Sequence, residues 1–256
     1  PVLSQNGKVD RLVNTYKAIA KNINYLPKVC VVGMGFVGIT IAIALARKHQ
    51  EVIGYDINKE VINKLKKSKS HVDEPGINSL IKKFVEESKL KFTNNISKLN
   101  FDTYVICVGT PVDDKKIPNI RFLLSSLKDI SGSIKPGNLI VIRSTVGIGT
   151  TRDVIIPELE RLTQLKVGKD IFVSFSPERT VQGNALYEIE NLPQLVSGFS
   201  PNCLNKSINF WRNISNAVIQ LESLEACELA KLANNCYRDL TFAFSNGLSQ
   251  ICSNYQ

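Results

Sequence analysis

The regular alternation of short β-branched runs with amphipathic segments, which begins at Lys28, most constrains how this chain folds. Each run is apolar along its length, as expected for strands that helices cover on both faces. Parallel strands joined by crossover helices produce this order. The pattern therefore predicts an α/β fold with a doubly wound parallel sheet. The predicted strands are Lys28–Val32, Glu51–Tyr55, Thr103–Gly109, Asn138–Ser144, Phe172–Ser176 and Gln194–Gly198.

A glycine-rich turn, VVGMGFVG from Val31 to Gly38, follows the first predicted strand and precedes the apolar helical run ITIAIALARK. It has the G-x-G-x-x-G spacing in the strand–turn–helix context of a dinucleotide site. Gly33 permits the tight turn, Gly35 lets the backbone approach a pyrophosphate, and Gly38 allows the helix to pack closely on the strand. The helix N-terminus that follows attracts the anion.

Asp56 stands at the end of the second predicted strand, eighteen positions after Gly38. A carboxylate there accepts hydrogen bonds from the adenosine ribose hydroxyls and repels a 2′-phosphate, so the predicted cofactor is NAD rather than NADP. Together these features indicate a Rossmann-type NAD-binding domain. The predicted cofactor contacts of this segment are Gly33, Met34, Gly35, Phe36, Val37, Gly38 and Asp56.

The chain divides into three segments of different pattern. Residues 1–26 have apolar positions at helical spacing and end before Pro27, which predicts an appended N-terminal helix. Residues 27–221 form the predicted NAD-binding domain. Residues 222–256 continue as one long helical pattern without proline, which predicts the start of a central helical domain and a homodimer through its apolar face. Because no partner element follows this helix, the chain is expected to be a fragment or a partner-dependent unit.

Charge and composition exclude several classes of partner. The formal net charge is +9, but the lysines are spread along the chain, so we expect no nucleic-acid partner. The longest strongly apolar run, Ile39–Ala46, is too short to span a bilayer and no signal peptide opens the chain, so we expect a cytoplasmic protein without a membrane partner. Six cysteines without a CxxC pair argue against disulfides and a zinc site, and no metal is predicted. His49 and His71 are expected to face solvent.

Hydroxyl-bearing loops follow three further predicted strands, at the sheet edge where ligands bind in such folds. They are CVGTPV (107–112), RSTVGIGTT (143–151) and FSPERTVQGNAL (175–186). In the long helix, the segment ELAKLANN brings Lys231 and Asn235 to one face because they are four residues apart. These residues alone leave open whether Lys231 is a binding residue or an ordinary surface lysine, and the apolar residues between the two favour binding.

Taken in order, these motifs resemble the UDP-glucose/GDP-mannose dehydrogenases, which use NAD to oxidise the C6 hydroxyl of a nucleotide sugar to a carboxylate. The motifs that carry the resemblance, from about Lys28 to the end, are VVGMGFVG, CVGTP, STVGIGTT, FSPERTVQGNALYE, NLPQLVSG and ELAKLANN. The resemblance implies a UDP-sugar substrate and a role in polysaccharide precursor synthesis. SPERTVQGNAL and NLPQLVSG resemble enzymes of N-acetylhexosamine nucleotides more than those of UDP-glucose, and the sugar stays open between the two.

The resemblance also implies roles for individual residues. Thr145 corresponds to the threonine that holds the catalytic water, and Glu178 to the acid that works with it in thioester hydrolysis. Lys231 and Asn235 correspond to the pair that stabilises negative charge on the C6 oxygen. Further implied cofactor contacts are Thr110, Ser144, Thr145 and Gln182. The implied substrate contacts are Glu178, Arg179, Thr180, Val181, Lys231 and Asn235.

The implied reaction removes four electrons. In the family, a cysteine thiolate captures the aldehyde that the first hydride transfer leaves, a second transfer gives a thioester, and water hydrolyses it. Two features depart from the family pattern. Gln182 stands where many relatives have a glutamate, and Cys227, Cys236 and Cys252 lie outside the glycine-rich motif that holds the family's catalytic cysteine. With that motif and the C-terminal nucleotide-sugar domain absent, the chain is expected to bind NAD without completing the oxidation.

Two other functions remain open from the sequence. A β-hydroxyacid dehydrogenase, which removes two electrons, also opens with a glycine-rich turn and uses a helical lysine followed by asparagines. The segments STVGIGTT and SPERTVQG argue against it, because that class would be expected to show a different loop after the fourth strand. A non-catalytic NAD-binding assembly module is the other alternative, since the catalytic cysteine is missing and the long helix offers a dimer surface.

Overall fold

The computed structural model describes residues 27–48, 51–97 and 99–255 of the chain. The helix predicted over residues 1–26 lies outside the described residues, as does His49. Within them, His71 is exposed, as predicted.

The centre of the described part is an eight-stranded sheet with the order β3-β2-β1-β4-β5-β6-β7-β8. The first six of these strands are parallel and follow the order of doubly wound nucleotide-binding sheets. The strands are β1 (Val29–Val32), β2 (Val52–Tyr55), β3 (Leu90–Thr93), β4 (Thr103–Ile106), β5 (Leu139–Ile142), β6 (Phe172–Phe175), β7 (Gln194–Gly198) and β8 (Val218–Gln220).

Helices connect most of the strands and cover both faces of the sheet. A short π-helical turn, Thr151–Ile155, leads into one of them, α5. The helices are α1 (Phe36–Lys48), α2 (Lys59–Lys66), α3 (Ile77–Glu86), α4 (Arg121–Ser131), α5 (Ile156–Thr163), α6 (Ala185–Asn191), α7 (Pro201–Arg212) and α8 (Leu224–Ser253).

Two apolar clusters, one on each face of the sheet, form the core. In β1, Val29 and Val31 belong to the cluster that contains α1, whereas Cys30 and Val32 belong to the one that contains Leu123 of α4. Successive strand residues point to opposite faces, so a strand between two helical layers must be apolar throughout. This explains the uninterrupted β-branched runs of the sequence and confirms the predicted α/β fold.

The predicted parallel sheet contains one antiparallel pairing. β7 pairs with β6 in antiparallel fashion, through Ser174 with Gly198 and Phe175 with Ser197. The connection that contains the seven-residue helix α6 brings the chain back to the sheet at the edge where β6 ends, so β7 runs in the opposite direction. Two strands were also missed. β3 is an edge strand and β8 is largely exposed, so neither has the continuous apolar run used to predict the others.

The long C-terminal helix is confirmed as α8, which begins after the N-cap Ser223. Its first turns pack on the sheet and bury Leu224, Cys227 and Glu228. Beyond them most side chains are exposed, including large apolar ones. None of the described helices is both long and apolar enough to cross a bilayer.

Candidate functional site

The glycine turn joins β1 to α1 in the geometry that its spacing predicts. Gly33 has a φ of +91°, in the region that favours glycine. A Cβ on Gly38 would overlap the carbonyl oxygen of Gly33, so only glycine allows α1 to lie this close to the turn. Gly35 differs, because a Cβ there would meet no atom within 4 Å. The exposed backbone of Gly35 therefore leaves room for a pyrophosphate at the N-terminus of α1.

Asp56 follows β2 and is bonded to this turn. Its Oδ2 accepts a hydrogen bond from the Met34 backbone N–H at 2.7 Å, and its Oδ1 accepts one from the Asn58 N–H at 2.8 Å. The Met34 side chain is fully buried in the core, so only its backbone takes part. These bonds hold the carboxylate at the edge of a small cavity of about 70 Å³.

This small cavity has a polar end and apolar walls, which suit a ribose and a flat base. Gly33 and Asp56 form its polar end, while Ile57 and Phe122, both more than half exposed, supply apolar surfaces for a flat base. Behind them, the Tyr55 hydroxyl donates to Asp129 Oδ2 at 3.2 Å. We did not predict Phe122 or Asp129 from the sequence. They lie on α4, which has no motif that marks cofactor contact.

A larger cavity of about 290 Å³ lies beside the start of α1. It collects residues from the loops after β4, β5 and β6 and from α8, which are far apart in the sequence. The residues that line it are Phe36, Val37, Cys107, Val108, Gly109, Thr110, Arg143, Ser144, Thr145, Glu178, Thr180, Lys231, Asn235 and Arg238. The four residues that the resemblance marks as catalytic are thus brought into one cavity.

The loops after β4 and β5 are bonded to each other. The Thr110 hydroxyl donates to the backbone carbonyl of Thr145, and the Ser144 hydroxyl donates to the Val108 carbonyl at 2.7 Å. The predicted cofactor residues Thr110 and Ser144 therefore also fix the position of Thr145.

Glu178 follows β6 and is only 7% exposed. Its Oε2 accepts hydrogen bonds from Arg143 Nε at 3.0 Å and Nη2 at 2.6 Å. Its Oε1 accepts from the backbone N–H groups of Arg179 at 2.7 Å and Thr180 at 2.8 Å. Burial alone would raise the pKa of this carboxyl, but the Arg143 charge and these hydrogen bonds outweigh it, so the pKa is below its ordinary value.

Lys231 and Asn235 both line the larger cavity, so the structure places them on one face of α8, as predicted. Loss of solvent around Lys231 lowers the pKa of its ammonium group, and Glu178 opposes this shift. The Asn235 side-chain oxygen accepts a long hydrogen bond of 3.4 Å from Arg238. A cation and an amide thus face the same space, ready to stabilise a negative oxygen.

Three of the contacts predicted in the loop after β6 do not line this cavity. Gln182 donates to the Asp73 carbonyl at 3.1 Å, and Val181 is 52% exposed. The Arg179 guanidinium donates to the Pro193 carbonyl at 3.2 Å. The end of this loop is held by Glu74, a buried residue missed from the sequence, which accepts from the Gly183 N–H at 2.7 Å and the Ala185 N–H at 2.8 Å.

The loop after β5 is anchored by Glu228, another residue missed from the sequence. This carboxylate is fully buried and accepts hydrogen bonds from the backbone N–H groups of Gly149 at 2.6 Å and Thr151 at 2.8 Å. Glu228 precedes Lys231 by one helical turn. It therefore connects the loop that carries Thr145 to the helix that carries Lys231.

The structure brings one cysteine to the wall of the larger cavity, and it is one that we did not weigh as a nucleophile. Burial raises the pKa of the Cys107 thiol to about 12, so it stays protonated at neutral pH and is a poor nucleophile. Burial likewise raises the pKa of Cys227 to about 12. Cys236 and Cys252 are exposed on α8 and do not line the cavity.

Comparison with known proteins identifies the family of the chain and similar folds. The sequence model of the UDP-glucose/GDP-mannose dehydrogenase family, NAD binding domain, matches residues 27–215. The chain is 30% identical over 237 residues to the UDP-N-acetyl-D-mannosamine dehydrogenase of Campylobacter jejuni, covering 90% of this chain and 58% of that protein. The solved UDP-D-ManNAc dehydrogenase of Pyrococcus horikoshii is similar with a TM-score of 0.83 and 30% identity, covering 89% and 54% of the two chains.

A second solved structure, a ternary complex of the GDP-mannose dehydrogenase from Pseudomonas aeruginosa, has a TM-score of 0.80 at 26% identity, over 85% of this chain and 51% of that one. The chain spans about half the length of the curated relatives it matches. The family match extends over most of the chain and over both cavities, apart from the side chains on α8. The chain therefore belongs to the UDP-glucose/GDP-mannose dehydrogenase family, whose NAD-binding domain it carries.

Proposed function

We propose that the site serves the NAD-dependent oxidation of the C6 hydroxyl of a UDP-sugar of the N-acetylhexosamine type to a carboxylate. The observation that carries the proposal is the larger cavity. It places Thr145, Glu178, Lys231 and Asn235 together beside the start of α1, next to the turn that fits a pyrophosphate. NAD, when bound, supplies the hydride acceptor.

Lys231 and Asn235 stabilise the sugar oxygen in this proposal. The C6 oxygen gains negative charge as its hydride leaves, and fixed donors in a partly desolvated cavity act most strongly on such a charge. Lys231 supplies the positive charge and Asn235 the amide donor. Both lie on the helix α8, and a site built on a helix is positioned more precisely than one built on a loop.

Thr145 and Thr180 supply hydroxyl groups to the same cavity. The Thr180 hydroxyl is buried and has no hydrogen-bond partner among the described residues, which suits a group that bonds to the substrate. We assign Thr145 to the water of the hydrolysis step, as its position in STVGIGTT implies. We do not assign Cys107 as the thiolate of a four-electron reaction, because burial raises the pKa of its thiol and disfavours the ionised form.

The relatives support the choice of sugar. Proteins named UDP-N-acetyl-D-mannosamine dehydrogenase and NDP-N-acetyl-D-galactosaminuronic acid dehydrogenase match the chain at 28 to 30% identity. The substrate loop of this chain, SPERTVQGNAL, also resembles that class. We therefore favour a UDP-N-acetylhexosamine over UDP-glucose.

We also propose that the protein acts as a homodimer through α8. The second half of this helix exposes large apolar side chains that a monomer would leave in water. The large apolar residues of this helix beyond Lys231 that are exposed by 50% or more are Tyr237, Leu240, Phe242, Phe244, Leu248 and Ile251. Five of them share one face of the helix, which a two-fold symmetric pairing of α8 with its copy would cover, whereas Phe242 lies on another face.

The reaction is tested by counting the NADH formed per nucleotide sugar by the longest gene product that contains this chain. We expect two NADH per UDP-N-acetylhexosamine, with slower turnover of UDP-glucose and GDP-mannose. Lys231→Ala should lower kcat by about 100-fold with little change in NADH affinity, because it removes charge stabilisation of the transition state. The matched control is Lys83→Ala, on the outer face of α3.

Two outcomes would contradict the proposal. One NADH per molecule of a 3-hydroxyacid would establish the two-electron alternative. NAD binding without reduction in the presence of any of these sugars would establish a non-catalytic module.

A further inference from the structure

The face of α4 that lines the small cavity carries a carboxylate. Four residues at helical spacing share this face. They are Phe122, Ser125, Ser126 and Asp129. Ser126 is buried, and its hydroxyl donates to the Leu123 carbonyl of its own helix at 2.7 Å. Asp129 is exposed and bonds instead to a residue of β2. The face therefore offers the cavity a second carboxylate besides Asp56.

The Tyr55 hydroxyl orients the Asp129 carboxylate. Tyr55 is 6% exposed, and a tyrosine buried to this extent usually pairs its hydroxyl with an acceptor. It donates to Asp129 Oδ2 at 3.2 Å. Burial and the Asp129 charge raise the pKa of Tyr55 to about 12, so the hydroxyl keeps its proton at neutral pH and stays the donor. Asp129 Oδ1 receives no hydrogen bond from the described residues, so this oxygen is left for a ligand.

The adenine of a bound NAD has an amino group that suits this oxygen. The 6-amino group lies at the end of adenine remote from the ribose. A base that contacts Ile57 and Phe122 while its ribose lies at Asp56 therefore carries this group away from Asp56. Asp129 is the one other charged group among the described residues that line the cavity. An amino group that donates to a carboxylate forms a charge-assisted hydrogen bond, the contact by which acidic side chains recognise exocyclic amines of bases.

A neighbouring cavity of about 280 Å³ begins at the same two side chains. Tyr55 and Asp129 line both this cavity and the small one. The rest of its lining comes from residues 94–97, Gly132 and Ser133. An amino group bonded to Asp129 would therefore lie at the boundary between two cavities, with open space beyond it.

We propose that Asp129 is a specificity-determining residue of the cofactor site, whose Oδ1 accepts a hydrogen bond from the 6-amino group of adenine. Tyr55 is the positioning residue that orients the carboxylate. The proposal rests on the NAD cofactor of the function proposed above and is independent of the sugar. Hypoxanthine has a carbonyl in place of the amino group, so it would bring an oxygen acceptor against the carboxylate. A site that bonds to an N–H donor discriminates against an analogue that lacks the donor.

The first test compares NAD with nicotinamide hypoxanthine dinucleotide in calorimetric titrations. The unmodified chain should bind NAD about 10-fold more tightly or better. In Asp129→Asn the amide keeps the size of the side chain and offers an N–H donor to the hypoxanthine carbonyl, so the preference should disappear or reverse. Tyr55→Phe should reduce the preference by a smaller factor, because the carboxylate loses its orienting bond. The matched control Asp239→Asn, exposed on α8 outside both cavities, should leave both affinities unchanged.

The second test uses an NAD that carries a 2-aminoethyl group on the 6-nitrogen. This analogue keeps one N–H for Asp129, and its substituent would enter the neighbouring cavity. The unmodified chain should bind it with an affinity within about 3-fold of that for NAD, because the cavity has room for the substituent.

Equal affinities of the unmodified chain for NAD and its hypoxanthine analogue would overturn the proposal, as would a preference that Asp129→Asn leaves unchanged. Loss of binding of the 6-substituted analogue would also overturn it, because the amino group would then face a closed wall. None of these titrations needs a sugar or turnover. If NAD binds without the preference, the proposed oxidation still stands. If the oxidation fails while the preference is observed, the role of Asp129 stands. Absence of NAD binding would overturn both proposals.

Discussion

Gly38→Ala is expected to lower the free energy of unfolding by about 3 kcal/mol and to remove measurable NADH binding. The new Cβ would overlap the Gly33 carbonyl oxygen and lie 2.9 Å from its carbonyl carbon. Both are backbone atoms of the turn, so no side chain can move to relieve the overlap. Urea unfolding followed by the fluorescence of the single tryptophan, together with an NADH titration, measures both effects.

Gly35→Ala provides the matched comparison, three residues away in the same turn. A Cβ at Gly35 meets no atom within 4 Å, so the free energy of unfolding should stay within about 0.5 kcal/mol of the unmodified chain. The methyl group would occupy the space through which a pyrophosphate approaches, and NADH affinity should fall by about 100-fold. Gly132→Ala, at the end of α4, also meets no atom within 4 Å and should change neither quantity. Unchanged NADH affinity in Gly35→Ala would show that the pyrophosphate lies elsewhere.

Glu228→Gln is expected to lower the free energy of unfolding by about 3 kcal/mol and to weaken NADH binding by about 10-fold. The buried carboxylate takes two backbone N–H groups, those of Gly149 and Thr151. A glutamine keeps one acceptor, and its NH₂ group would then face the second N–H donor. The loop that carries Thr145 would lose its connection to α8. Unfolding in urea and the NADH titration report the two effects.

Glu225→Gln is the control for this prediction, since Glu225 lies one helical turn before Glu228 and also bonds to the segment after β5. Glu225 forms an ion pair with Arg152. The Arg152 side chain is 41% exposed and the Glu225 side chain is 31% exposed. A partly solvated ion pair contributes little, so this variant should lose less than about 1 kcal/mol. Equal losses in the two variants would contradict the role of Glu228 as a buried anchor.

The NAD-binding half of the site could be predicted from the sequence because its determinants are local. The glycine turn lies within eight residues, and its requirements are a positive φ at Gly33 and a close approach at Gly38. The position of Asp56 follows from the length of one strand–helix–strand unit. The spacing of apolar residues and the residue types that form turns are properties of short segments. They can therefore be recognised from residues that are neighbours in the chain.

The supporting residues of the site could not be predicted in this way. Glu74, Arg143 and Glu228 each bond to groups between 33 and 111 positions away in the chain. A buried carboxylate that accepts backbone N–H groups has no sequence pattern, since a surface glutamate looks the same in the sequence. Arg143 shows the same difficulty. It ends an apolar run, where an exposed charged residue is the usual expectation, yet the fold encloses it between Trp211 and Glu178.

The antiparallel pairing of β7 escaped prediction for a related reason. The apolar run Gln194–Gly198 indicates a buried strand but has no direction of its own. The direction of a strand depends on the edge of the sheet to which the preceding connection returns the chain. The extent of α6 in that connection was not apparent from the sequence. The loop after β6, residues 175–186, lies at the sheet edge where the glycine turn also lies, because β6 is parallel to β1.

The central claim, an NAD site whose adenosine ribose is held by Asp56, is tested most directly by comparing NADH and NADPH in fluorescence titrations of the unmodified chain and of Asp56→Asn. The unmodified chain should bind NADH about 100-fold more tightly than NADPH, because a 2′-phosphate would meet the Asp56 carboxylate at close range. In Asp56→Asn, which removes the charge but keeps an acceptor for the Met34 N–H, the ratio should fall to within about 10-fold. Equal binding of NADH and NADPH by the unmodified chain, or binding of neither, would contradict the account.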